Sequence, residues 1–239
     1  MQLHLTPPTR TSRSNHPSSK PLPSWTKRCA GRTSIRANNR EAGSSERNLD
    51  GQPITIEVDL MVPEAVAGAG WRSANLGEHG DRTARRARGL EAALFDNQVM
   101  TLSALDAGSE RDHATDQRIF DIRVAGPTAL LVSKLHKVAD RALEQKRARL
   151  YDKDALDLFR ILQAIPTASL ASVLKRLLEH EMCGEVTQEA LAFLEHFFAT
   201  PTSPGCRMVV RATEGLEGAE TIARSCSILA NALLEQMQN

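Results

Sequence analysis

The chain of 239 residues has little cysteine. Its four, Cys29, Cys183, Cys206 and Cys226, form no Cys-x-x-Cys pair. That pattern argues against a structural zinc site and a dense disulfide framework, and predicts reduced thiols in a cytoplasmic protein. No apolar run approaches the roughly 18 to 20 residues that a membrane-crossing helix needs, so no span is expected. No His-Glu-x-x-His motif occurs. His79 and His113 fall in expected loops, and His136, His180 and His196 on expected helices, all read as surface or core residues. An excess of one charge is also lacking: 30 basic residues face 29 acidic ones, a formal net charge of +1. With 41% apolar and 25% charged residues, the composition is that of a folded protein and excludes a collagen, an acidic disordered chain or a mucin-like stalk.

The near-zero charge conceals a division. Residues 1–50 carry nine basic residues and three acids, a balance of 9 − 3 = +6. The other 189 carry 21 basic and 26 acidic residues, a balance of 21 − 26 = −5. The first segment has no acid before Glu41, holds five prolines and eight serines, and shows no periodicity. It is expected to be a disordered basic extension, because it has too little apolar surface to offset the entropy of ordering. Its prolines spoil the amphipathic helix of a transit peptide, and it has no apolar core of a secretory signal. A basic tail of this kind could also tether nucleic acid through phosphate contacts.

From residue 51 onward the pattern becomes regular. Ile54, Ile56, Val58, Leu60 and Val62 alternate with Thr55, Glu57, Asp59 and Met61, which predicts a strand ended by Pro63. Residues 64–87, rich in Gly, Ala and Arg, read as a loop. Leu90–Leu94 and Val99–Leu105 flank Asp96-Asn97 and read as a hairpin. Residues 106–117 read as a polar loop and Ile119–Val124 as a further strand. The period then becomes helical. Pro127 follows Gly126 at a first-turn position, and Leu130, Leu131, Leu135, Val138 and Ala142 make a stripe, so Pro127–Glu144 is an expected helix. Further helices are expected over Asp152–Ala164, Ser169–His180, Thr187–Ala199 and Gly218–Gln238. Strands before helices predict an α+β protein with a small sheet over 51–125 and a helical region over 126–239.

Three groups of residues have the spacing for chemistry. Glu57 and Asp59, two apart on a strand, project from one face about 7 Å apart at Cα. Hard cations such as Mg2+ take oxygen ligands held in this way, although exposed strand faces carry such pairs too. Lys134, Lys137 and Arg141 lie near one helical face, which suits phosphate binding or simple solvation. In Tyr151-Asp-Lys-Asp-Ala-Leu-Asp157, Asp154 and Asp157 share a face by their i, i+3 spacing, while Asp152 suits the cap of the helix.

The order of ITIEVDLMVPE, VAGPTALLVSKLHKVADR and YDKDALDLFRIL resembles the AbiEii-type nucleotidyltransferase toxin family, over about residues 52–165. The resemblance implies a nucleotidyltransferase-like core and transfer of a nucleotide from a nucleoside triphosphate to an RNA acceptor such as tRNA, with Mg2+ bound by strand carboxylates. It implies Asp59 as the strand carboxylate, with Glu57 as a further metal ligand. Lys134 takes the place of the helical lysine that contacts phosphate, and Asp154 that of the first acid of the second helical motif. Lys137, Arg141 and Asp157 are implied to support substrate binding. A cognate antitoxin protein is an implied partner.

The family also opens with a strand, a Gly-Ser or Gly-Thr turn, and an Asp-x-Asp pair. Here the nearest copy is Gly43-Ser44 followed by Glu57-Val58-Asp59, interrupted by Asp50-Gly-Gln-Pro53 and with no strand expected before Gly43. This departure suggests a degenerate or truncated member, as a misplaced or frame-shifted start would produce. The alternative expectation is a non-catalytic remnant that binds a partner protein.

Overall fold

A computed structural model of the chain describes residues 35–38, 41–49, 52–57, 60–68, 70, 73–74, 84–103, 119–143, 149–213 and 218–239, with side chains of 35–57, 143 and 149–151 outside that description. Strands come first and helices after, an α+β arrangement. The strands are β1 (Ile35–Asn38), β2 (Glu41–Leu49), β3 (Gln52–Glu57), β4 (Met61–Pro63), β5 (Ser73–Ala74), β6 (Ala84–Ala87), β7 (Asn97–Ser103) and β8 (Ile119–Ala125). The helices are α1 (Glu64–Ala67), α2 (Pro127–Leu143), α3 (Arg149–Ala164), α4 (Thr167–Leu178), α5 (Gly184–Phe198), α6 (Pro204–Ala212) and α7 (Ala219–Gln238), with a 3-10 turn at Glu91–Leu94.

The strands form three small sheets. β1, β2 and β3 pair antiparallel in that order. β6 lies between β4, to which it runs parallel, and β5, to which it runs antiparallel, so this sheet is mixed. β7 and β8 form an antiparallel pair, in register from Asn97↔Ala125 to Ser103↔Ile119.

Leu90–Leu94 is not a strand, because its residues 91–94 form the 3-10 turn, and β7 pairs instead with β8. The expected loop over 64–87 contains α1, β5 and β6. The expected strand at 54–62 is divided into β3 and β4, while Val58 and Asp59 lie outside the described residues. Pro63 does end β4. β1 precedes Gly43, and Gly43-Ser44 lie inside β2 rather than in a turn, so their backbone does not form the strand-to-helix phosphate cradle. β1 and β2 both fall within the first fifty residues. α6 falls where the sequence pattern predicts no element.

The core sits among the helices. Leu131, Val132, Leu135 and Val138 of α2 are buried against Ala155, Leu158, Phe159 and Leu162 of α3, the face expected for that helix. Leu130 is the exception in the expected stripe, at 40% exposure, because it lies about 100° around the helix from Leu131. The remaining helices close over this pair, with Leu174, Leu194, Phe198, Val209 and Leu233 fully enclosed. Among the described residues no single helix is long and apolar enough to cross a membrane.

The start of α2 is fixed by a residue far away in sequence. The Asp96 carboxylate accepts from the Ala129 amide at 2.8 Å, and the Asp96 carbonyl accepts from the Gly126 amide at 2.7 Å. The Gly126 carbonyl in turn accepts from the Leu130 amide, the first helical bond. A Cβ on Gly126 would stand 2.2 Å from Asp96 Oδ1, so only glycine admits this cap.

Candidate functional site

α2 and α3 pack side by side and bring two of the three expected groups together. Lys134 Nζ donates to Asp154 Oδ1 and Asp157 Oδ2, each at 2.8 Å. One α2 face carries both cations, because Arg141 lies two turns beyond Lys134, and Arg141 Nη2 is 2.8 Å from Asp154 Oδ2. Arg160, one turn along α3, approaches Asp157 at 3.5 Å. The group is largely enclosed: side-chain exposure is 10% for Asp154 and 25% for both Lys134 and Asp157. Burial alone would lower the Lys134 pKa, but its hydrogen bonds to Asp154 and Asp157, with their negative charge, outweigh it and hold the pKa above its ordinary 10.5. Lys134 is therefore an ammonium. Three cations face two carboxylates here, leaving one net positive charge beside a half-buried lysine.

Lys137 lies on α2 but does not join this group. Asp152 does not cap α3: with α3 beginning at Arg149, it sits inside the helix and faces another neighbour. Its carboxylate takes a paired contact from Arg211 of α6, Nε to Oδ2 and Nη2 to Oδ1, both at 2.8 Å. This contact raises the Arg211 pKa. The two acids of Asp152-Lys153-Asp154 thus serve different helices.

Asp59 lies outside the described residues, and of Glu57 only the backbone in β3 is described, opposite Ser44. Asp154 and Asp157 do not fit a divalent ion, because Asp154 is committed to Lys134 and Arg141, and Asp157 to Lys134. Among the described residues no group of three or more His, Cys, Asp and Glu could hold a metal.

A second polar assembly had no local signal in the sequence. Arg88, in the turn after β6, donates to Glu189 of α5 through Nε and Nη2 at 2.7 and 2.8 Å, to Glu64 of α1 at 3.0 Å and to Glu185 at 2.8 Å. The Glu189 contact above all raises its pKa. Beneath it Glu91, 1% exposed, accepts from the amides of Gly89 and Ala65. His136 Nε2 lies 2.8 Å from the Val186 carbonyl, its Nδ1 is 3.9 Å from Glu189, and its ring meets Phe193 edge-on. His136 is thus a core residue, as expected. His180 follows α4 rather than ending it, and lies against Phe95. His79 and His113 lie outside the described residues.

Comparison with protein-family models, with curated proteins and with solved structures finds no match.

Proposed function

We propose that the chain is a nucleotidyltransferase-like protein of the AbiEii toxin type, which transfers a nucleotide from a nucleoside triphosphate to an RNA acceptor, tRNA foremost. What supports this reading is the meeting of Lys134, Arg141, Asp154 and Asp157 between α2 and α3. The two helical motifs of the resemblance lie on successive helices and form one polar group, with Lys134 bonded to residues 20 and 23 positions further on. In this reading Lys134 offers its remaining N–H to a phosphate oxygen, as a charge held in place by two carboxylates. Asp154 orients both cations. Purified protein incubated with Mg2+, each labelled nucleoside triphosphate and total tRNA should transfer label, and Asp59→Ala and Lys134→Ala should abolish it. No transfer with any of the four nucleotides would sink the reading.

One observation favours a second reading, a non-catalytic remnant that binds a partner such as a cognate antitoxin. Two of the three N–H groups of Lys134 are already engaged, which suits a structural tie between helices. A stable co-purifying protein with no nucleotide uptake would support it.

A further inference from the structure

β7 and β8 expose an uncharged apolar face. Met100 and Leu102 of β7 and Phe120 and Ile122 of β8 are 42%, 44%, 56% and 41% exposed. The register places Met100 opposite Ile122 and Leu102 opposite Phe120, so all four lie on one side, with Gln98 and Val124 completing it. A two-stranded ribbon is marginally stable alone, and an apolar face beside an open edge is a template for pairing. Among the described residues β8 pairs with β7 alone, leaving its other edge open.

The sequence of β8 says what that edge fits. Ile119-Phe-Asp-Ile-Arg-Val-Ala125 is complementary to itself about Ile122. If two copies of β8 pair antiparallel across a two-fold axis at Ile122, each Asp121 stands opposite the Arg123 of the other copy. Phe120 then stands opposite Val124, and Ile122 opposite Ile122. Opposed residues in an antiparallel pair share a face, so the charges meet on one side and the apolar residues merge on the other. Within one copy Asp121 accepts from Thr101 and Arg123 donates to Asn97, yet a carboxylate and a guanidinium each have further hydrogen-bonding atoms. The same operation on β7, centred on Met100, pairs Val99 with Thr101 and Gln98 with Leu102 and brings no opposite charges together.

We infer that the β8 edge is a docking surface for a second copy of this chain, forming a four-stranded sheet β7-β8-β8-β7 across a two-fold axis. The arrangement extends the ribbon to a width at which sheets hold together and doubles the joined apolar face.

Sedimentation velocity of the full chain over a concentration series tests this. The expected result is a monomer–dimer equilibrium. Asp121→Arg sets two arginines opposite each other twice, and should weaken association roughly tenfold or more. Arg123→Asp should do the same with opposite sign. The combined swap D121R/R123D restores opposite charges across the axis and should restore the dimer. The swap removes the Thr101 and Asn97 bonds as the single changes do, so recovery would come from the second copy. Circular dichroism confirms that each variant folds, and either single variant serves with the swap. A chain that stays monomeric throughout, a dimer indifferent to both single changes, or a swap no better than the singles would overturn the inference.

Discussion

Asp152 and Asp154 stand two apart in sequence, and their burial decides what each is worth. The Asp152 side chain is 3% exposed and its partner Arg211 is 50% exposed. Removing the cation and removing the acid are therefore not equivalent. Arg211→Ala leaves a buried carboxylate without its partner and should cost about 2–3 kcal/mol. Asp152→Asn keeps an acceptor in place and leaves an arginine that can turn to water, so its cost should be about 1 kcal/mol. Urea denaturation of both variants would check the order; equal losses would mean that Arg211 adds nothing to enclosing Asp152. The same asymmetry applies around Lys134, where Asp154 retains Arg141 but Asp157 retains only the more distant Arg160. Local spacing in the sequence foretold that Asp154 and Asp157 share a face. It could not foretell that Asp152 faces Arg211, because α3 begins three residues earlier than its apolar pattern suggests.

Among the elements, α2 carries most of the candidate site, and its start depends on Asp96. Asp96→Ala should remove the cap on the Ala129 amide and cost about 1 kcal/mol. Hydrogen exchange would locate the effect: protection should fall in the first turn of α2 and persist near Lys134. Uniform loss along the helix would show that Asp96 acts in some other way than as a cap. The extent of α2 to α5 and α7 was legible to within a few residues, because long helices repeat their apolar spacing over several turns. Short elements were not. Leu90-Glu-Ala-Ala-Leu94 is an apolar run too brief to separate a strand from a turn of helix, and α6 has only nine residues. Strands were expected at Val99–Leu105 and Ile119–Val124, but their pairing with each other across residues 104–118 was not. Asp96-Asn97 looked like a hairpin turn, whereas Asp96 caps α2. Of the candidate site, the four residues that meet were all legible, since each motif lies within one helix. The Arg88 assembly was not, since its partners are up to 101 residues distant.

Across the whole molecule, that assembly ties the strand region to the helices. Arg88 follows β6, Glu64 opens α1, and Glu185 and Glu189 belong to α5. The Arg88 hydrogen bond, reinforced by its charge, holds the Glu189 carboxyl below its ordinary 4.5, against the opposing effect of burial. A depressed carboxylate stabilises the fold at pH values above its unfolded pKa, and that contribution disappears as pH falls through the lower folded value. Glu189→Gln should therefore melt below the native chain near neutral pH, and the gap should close as the solution is acidified below about pH 4.5. The gap should be small, within about 1 kcal/mol, because Glu189 and Arg88 are each more than a third exposed and salt screens them. Thermal melts of both proteins between pH 3 and pH 7 would measure it. Parallel curves would mean that Arg88 is held by Glu64 and Glu185 without help from Glu189. Closing curves would place the acid sensitivity of the fold at the contact of Arg88 with α5, and not at the Lys134 group between α2 and α3.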